Sequence, residues 1–152
     1  MKSYAVVLGN GPGLTAEAVA QHPDAFRVGV NRSFEVAWSS IVCSADLGFR
    51  AKHLALLGDY DPPWEWVFKH DLVVAPKWAT PSGPFAVWYA SEVLGFDRIV
   101  LLGFGGPGHF YAHDDVPRER HNFNLNRVVG RISASVTPVP PCEQKHDVVL
   151  VR

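Results

Sequence analysis

The amino-acid sequence predicts an α/β fold, namely a Rossmann-like, doubly wound and mostly parallel sheet with helices on both faces. Three observations support this prediction. Short apolar runs alternate with helical patterns, the first run ends at the turn Gly9-Asn10-Gly11-Pro12-Gly13, and polar residues follow the later runs. Because a continuous apolar run suits a strand covered by helices on both sides, these runs indicate a parallel sheet. We expect one domain over residues 1–152.

The first half of the chain alternates predicted strands and helices. A helix is expected over residues 14–21, with Thr15 as its N-cap and Pro23 as its stop. A second helix is expected over residues 46–57, and a loop or lid over residues 58–63, where turn residues and a proline pair break the pattern. The predicted strands of this half lie at residues 4–8, 26–30 and 39–43.

The second half continues the alternation and then changes character. A helix is predicted over residues 84–94, with a proline in its first turn and Gly95 at its end. Residues 105–126 are rich in Gly, Pro, His, Asp and Arg, so they predict a functional loop or a disordered segment, followed by a short helix over residues 123–129. The predicted strands lie at residues 71–75, at 98–103 in the centre of the sheet, and at 131–136 and 148–151 at its edge.

Composition restricts the classes of function. A net charge of −1 provides no broad cationic surface for nucleic acid, so small-molecule partners are favoured, and self-association into a homo-oligomer stays open. No apolar run approaches the roughly 20 residues of a membrane helix, and the first residues lack a signal-peptide core, so we expect a cytoplasmic protein without membrane contact. Cys43 and Cys142 lack metal-ligand spacing and are interpreted as reduced thiols.

Polar and glycine residues stand at the predicted carboxyl ends of the strands, where ligands of doubly wound sheets bind. Glycines let a backbone approach phosphate closely, and a following helix directs amides and its positive end at an anion. We therefore predict that a phosphorylated ligand binds at the first turn, although a tight turn without a ligand is the alternative. The predicted ligand-binding residues are Gly9, Asn10, Gly11, Pro12, Gly13, Asn31, Arg32, Ser44, Ser82 and Gly83.

Several side chains are candidates for chemistry. Asp46 follows a predicted buried strand, where its carboxylate can bind Mg²⁺, a ribose hydroxyl or an attacking group, or can simply cap the next helix. His109, His113 and His121 belong to the polar segment after the central strand, and histidines titrate near neutral pH. They are candidates for acid or base, with a charged, solvated loop as the alternative for each. Trp78 is interpreted first as a core residue and second as a stacking surface.

Taken in order, several stretches resemble a known superfamily. They are Val7-Leu8-Gly9-Asn10-Gly11-Pro12, Phe26-Arg27-Val28-Gly29-Val30-Asn31-Arg32, Ser82-Gly83 with the helix over residues 86–95, and Ile99-Val100-Leu101-Leu102-Gly103. The chain is similar there to bacterial sialyltransferases, motility-accessory glycosyltransferases and archaeal-type 6-hydroxymethylpterin diphosphokinases. The resemblance implies a nucleotide or nucleotide-sugar donor, held by Gly9, Asn10, Gly11 and Asn31. It also implies a histidine base among His109, His113 and His121.

The residues and the resemblance together lead to three expectations about function. The first is a small transferase that moves a glycosyl, phosphoryl or diphosphoryl group from a nucleotide donor, with Asp46, His113 or His121 assisting and Mg²⁺ as an optional partner. The second is a nucleotide-binding or sequestering protein without turnover, of phage or mobile-element origin. It is favoured by Gly13, which stands where that superfamily has Ser, and by Phe104-Gly105, where it has an acidic residue. A third expectation is an interaction domain with a vestigial site.

Overall fold

The computed structural model describes residues 4–57, 62–104 and 118–139. Its strands are β1 (Ala5–Leu8), β2 (Phe26–Val30), β3 (Ile41–Ser44), β4 (Glu65–Phe68), β5 (Arg98–Leu102) and β6 (Ser135–Val139). Its helices are α1 (Ala16–Ala20), α2 (Leu47–Leu57), α3 (Ser82–Trp88) and α4 (Arg118–Val129). Short 3₁₀ turns cover Asn31–Glu35 and Lys69–Asp71, and a π-helical turn, Tyr89–Val93, extends α3.

The strands form one six-stranded sheet in the order β4-β3-β2-β1-β5-β6, with every pair parallel. From β1 the chain runs outward to β4, and then returns to the other side of β1 to add β5 and β6. Val7 in the centre pairs with Val28 of β2 on one side and with Leu101 of β5 on the other. The strand order therefore reverses between β1 and β5, as in a doubly wound sheet.

Helices cover both faces of this sheet, because successive side chains of each strand point to opposite sides. Val7 and Leu101 belong to a core that includes Phe85 of α3 and Leu125 of α4. Their neighbours in the strands belong to a second core that includes Val19 of α1. The α/β prediction is confirmed: the sheet is Rossmann-like and parallel, with buried strands between two helical layers.

Local signals in the sequence account for most element boundaries. Thr15 caps α1 as predicted, since its hydroxyl accepts the amide of Ala18 at 3.1 Å. Gly95 ends the helical segment after α3 with a φ of 78°, a left-handed conformation that glycine adopts without steric cost. β6 begins four residues later than predicted and is an edge strand of the sheet. Cys43 is a buried free thiol, and burial raises its pKa.

The predicted strand at residues 71–75 is wrong. The fourth strand is Glu65–Phe68, while Val73 and Val74 lie outside the sheet, where Val73 is fully exposed and Val74 is 74% exposed. Both runs are rich in residues that favour strands, but only the earlier one buries side chains on both faces. Phe68 and Val67 are buried on opposite sides, so packing decides between the two runs.

Parts of several predictions lie outside the described residues. These are most of the loop or lid at residues 58–63, most of the polar segment after β5, which includes His109 and His113, and the predicted strand at residues 148–151. The short helix predicted over residues 123–129 is present and begins earlier, at Arg118.

Candidate functional site

The glycine turn is built into the packing between β1 and β5. The amide of Gly9 donates to the carbonyl of Leu102 at 2.8 Å, and that of Gly11 donates to the carbonyl of Gly103 at 2.7 Å. A Cβ at Gly9 would lie 2.5 Å from the Gly103 oxygen and 2.8 Å from the Phe104 ring. The amides of Gly9 and Gly11, which were predicted to receive an anion, are thus already hydrogen-bonded within the protein. Ligand contact by Pro12 and Gly13 stays a prediction.

The Phe104 ring also contacts the beginning of α3. A Cβ at Gly83 would lie 2.8 Å from the Phe104 ring. The point where the strand order reverses is therefore occupied by Phe104, between Gly9 and Gly83. The glycines allow this close approach of ring and backbone, which explains two of the predicted ligand-binding glycines by packing.

The side chain of Asn10 ties the glycine turn to the end of β2. Its Nδ2 donates to the carbonyl of Val30 at 2.5 Å, and its Oδ1 accepts the amide of Arg32 at 3.1 Å. The residue between these partners, Asn31, has a φ of 47°. Asparagine tolerates this left-handed conformation better than most residues, so the chain can turn sharply into the 3₁₀ segment after β2.

An open pocket lies next to this turn, at the carboxyl ends of β2 and β3. We call it the β2–β3 pocket, and its volume is about 610 Å³, which falls in the range of small-molecule sites. The end of β2 and the following 3₁₀ turn form one wall, and α2 forms the other. Its lining residues are Asn31, Arg32, Glu35, Asp46, Gly48, Phe49, Lys52 and His53.

Asp46 begins the α2 wall as a capping residue. Its Oδ1 accepts the amides of Gly48 at 2.8 Å and Phe49 at 3.3 Å. The preceding loop is fixed by two buried hydroxyls, because Ser44 accepts the amide of Asp46 at 3.1 Å and Ser82 accepts that of Ala45 at 2.9 Å. The capping alternative for Asp46 is therefore realised, and both serines position the loop that carries it.

The charged groups of the pocket partly compensate one another. Arg32 makes a two-pronged ion pair with Glu35, in which Nε and Nη2 each donate to one carboxylate oxygen. Lys52 adds a second cation and Asp46 a second anion. Burial lowers the pKa of His53, and the nearby Arg32 guanidinium lowers it further, against an opposing effect of Glu35. The net effect favours the neutral imidazole.

Aromatic rings pack against one another along the α2 wall. The His53 ring stacks on Phe49, with centroids 4.1 Å apart and planes at 26°. Phe34, from the 3₁₀ turn, meets the edge of His53 at 5.9 Å and stacks on Trp64 at 4.8 Å. Within the part of the chain that the structure describes, the buried Oδ1 of Asn31 has no hydrogen-bond partner.

The structure brings together part of the predicted site. Asn31, Arg32 and Asp46 line one pocket, and Asn10 fixes the backbone of the first two. His113 lies outside the described residues, and His121 belongs to α4 without a described side chain. Sequence reasoning missed Glu35, Phe49, Lys52 and His53, although residues 46, 49 and 53 repeat at the spacing of one helix face.

Comparison of the chain with family models, with curated proteins and with solved structures finds no match. Among the residues that the structure describes, no group of three His, Cys, Asp or Glu side chains could hold a metal ion. In the same part of the chain, no helix has the length and apolarity needed to cross a membrane.

Proposed function

We propose that this protein binds a nucleotide or a nucleotide-sugar in the β2–β3 pocket and transfers a glycosyl or phosphoryl group from it. One observation carries the proposal. At the carboxyl edge of a parallel sheet, two cations, an aromatic pair and polar side chains line a single pocket of about 610 Å³.

The two cations suit the phosphate end of such a ligand. Arg32 offers a planar fork and Lys52 a mobile ammonium, which are the two usual donors to phosphate oxygens. Because Glu35 already holds the Arg32 fork, a phosphate group would bind by displacing that carboxylate. Glu35 thereby becomes a competitor that sets how tightly an anion is held.

The remaining lining suits the nucleoside or sugar. The Phe49 and His53 rings provide an apolar edge, and Asn31 brings an amide that can bond to a hydroxyl or a base. The resemblance of the sequence to nucleotide-binding transferases includes the asparagine after the second strand, here Asn31. This residue lies in the pocket, which supports the same location for the donor.

Asp46 and His53 are the groups of this pocket that could assist transfer. A neutral imidazole can take a proton from an attacking hydroxyl, and burial and Arg32 favour this form of His53 by lowering its pKa. Asp46 fits Mg²⁺ as a single carboxylate ligand, because this ion commonly takes its other oxygens from substrate phosphates and water. Glu35 is the other carboxylate of the pocket.

Binding without turnover is the second candidate. It is favoured by the engagement of Asp46, whose Oδ1 caps α2, and by the two serine hydroxyls that accept loop amides. These groups already serve the fold. In that case the pocket would capture a nucleotide and release it unchanged.

Thermal unfolding with CMP, CDP, UDP, GDP and ATP, each with and without Mg²⁺, tests the binding step. A ligand at 100 times its dissociation constant adds about 2.7 kcal/mol to stability, which is easily measured. Lys52→Met should lower the affinity for the nucleotide about tenfold, because it removes a charged donor to phosphate. Arg27→Gln, which removes an exposed guanidinium on β2 outside the pocket, is the matched control and should leave the affinity unchanged.

Chromatography of the nucleotide after incubation then separates the two candidates. Donor cleavage or transfer that is lost in His53→Gln, while binding remains, supports the transferase. A nucleotide that binds through Lys52 and is recovered intact with every acceptor supports capture. If none of the five nucleotides stabilises the protein, or if Lys52→Met does not change the shift, the pocket is not a nucleotide site.

A further inference from the structure

A second group of basic side chains surrounds the segment between β4 and α3. The Nζ of Lys69 donates to the carbonyl of Lys77 at 3.3 Å, and Nη2 of Arg127 donates to the carbonyl of Trp78 at 3.2 Å. The ammonium and the guanidinium are thus anchored on two consecutive residues. Two cations from distant parts of the chain are therefore held against one short segment.

Arg131 adds a third cation to this segment. Its guanidinium carbon lies 5.6 Å from the centroid of the Trp78 ring, and its Nη1 donates to the carbonyl of Arg127 at 3.2 Å. We call Lys69, Arg127, Arg131 and Trp78 the basic cluster. None of its members lines the β2–β3 pocket.

Among the residues that the structure describes, no carboxylate forms an ion pair with the basic cluster. Within residues 4–57, 62–104 and 118–139, one ion pair is present, between Arg32 and Glu35. Lys69, Arg127 and Arg131 do not take part in an ion pair there. Burial lowers the pKa of Lys69, and the charge of Arg127 lowers it further, as expected for two cations held together. Within the same ranges, the buried Nε of Arg127 has no hydrogen-bond partner.

We propose that the basic cluster binds the phosphate group of a small molecule, with Lys69, Arg127 and Arg131 as its donors and the Trp78 ring as its apolar wall. A phosphate carries up to two negative charges, which would neutralise much of the charge that these side chains concentrate. Its oxygens accept both from ammonium and from guanidinium groups. The proposal does not depend on the function of the β2–β3 pocket, because the two sites share no residue.

Two-dimensional ¹H–¹⁵N NMR of the full chain tests this site with inorganic phosphate, using sodium chloride at equal ionic strength as the reference. Saturable shifts are expected at Lys69 and at the Trp78 indole. Lys69→Met should weaken the binding about tenfold or more, since a charged donor is lost, and Arg131→Gln should weaken it as well. Glycerol phosphate and AMP, titrated in parallel, then show whether the natural ligand is the free ion or an ester.

Matched variants keep the result interpretable. Arg27→Gln removes a guanidinium that also donates to a backbone carbonyl, that of Trp38 at 3.3 Å, and it should leave phosphate binding intact. Lys69→Met is preferred to a change at Arg127, whose guanidinium holds the Trp78 segment and whose loss could unfold it. Shifts that do not saturate, that persist in Lys69→Met and Arg131→Gln, or that disappear in Lys52→Met would overturn the proposal.

Discussion

The side chain of Asn10 holds the backbone of Arg32, whose amide donates to Asn10 Oδ1 at 3.1 Å. The same buried amide group donates to the carbonyl of Val30. One side chain thus joins the turn after β1 to the turn after β2. The position of Arg32 in the β2–β3 pocket depends on a residue that does not line it.

Asn10→Ala should destabilise the protein by about 2 kcal/mol, because it leaves a buried carbonyl and an amide without these partners. Urea denaturation measures this loss. Asn124→Ala, which removes a weak contact to Arg127 at 3.4 Å, serves as the control and should change stability by less than about 0.5 kcal/mol. Equal effects of the two changes would contradict the clamp role of Asn10.

Gly9→Ala should destabilise the protein by about 1–3 kcal/mol or more, because the new methyl group would lie 2.5 Å from the Gly103 oxygen. Backbone atoms cannot rotate away as a side chain can, so β1 and β5 would have to separate. At Gly130 the nearest atom would lie 3.4 Å away, and Gly130→Ala should be close to neutral. A stable Gly9→Ala protein would show that the glycine turn has room for more than this packing allows.

Asp46→Asn and Asp46→Ala separate the capping of α2 from chemistry. Asparagine keeps an oxygen for the amides of Gly48 and Phe49, so its loss of stability should be small, whereas alanine should cost about 1 kcal/mol. Circular dichroism during thermal unfolding measures both. If Asp46 also binds Mg²⁺ or assists transfer, Asp46→Asn abolishes turnover at nearly unchanged stability. Turnover that survives in Asp46→Asn would remove Asp46 from the chemistry.

Glu35→Gln should tighten the binding of a nucleotide in the β2–β3 pocket by about tenfold, because it releases the Arg32 guanidinium from its ion pair. Isothermal titration calorimetry at low salt measures the change. Glu17→Gln, on the exposed first turn of α1, is the matched control. A weaker complex with Glu35→Gln would mean that Glu35 orients Arg32 for the ligand instead of competing with it.

The stability of the protein should fall as the pH drops below about 6.5, the ordinary pKa of histidine. The folded state lowers the pKa of His53, mainly through burial, so between the two pKa values the unfolded chain binds more protons. Urea denaturation at about pH 7.5 and about pH 5.5 should show a smaller pH dependence in His53→Gln. The pKa of His22 is lowered too, by burial and then by Arg98, so some dependence should persist until His22→Gln is added.

The sheet could be predicted because its strands are short, apolar and closed by turn residues. Which of the two runs, residues 65–68 or residues 71–75, forms the fourth strand could not be predicted, because both favour strands and only their packing differs. Val67 and Phe68 are buried, whereas Val73 and Val74 are exposed. Such a difference arises from tertiary structure and leaves no local signal.

The candidate site was predictable as far as strand ends define it. Asn31, Arg32 and Asp46 follow two neighbouring strands, and parallel strands place such residues at one edge. To predict that Lys52 and His53 line the pocket, one must know which face of α2 points toward it. The amphipathic pattern of α2 is too weak to show this. Whether the amide of Gly9 is free depends on its pairing with β5, so no short stretch of sequence could decide it.

The position of β1 between β2 and β5 affects how the protein folds while it is being translated. While a ribosome is still translating the residues before Arg98, β1 has a neighbour on only one side. Its other edge offers unpaired backbone groups that can join to another polypeptide. Prematurely terminated chains should therefore aggregate or require a chaperone. The exposed edge of β1 is covered only once β5, which ends at Leu102, has left the ribosome and paired with it.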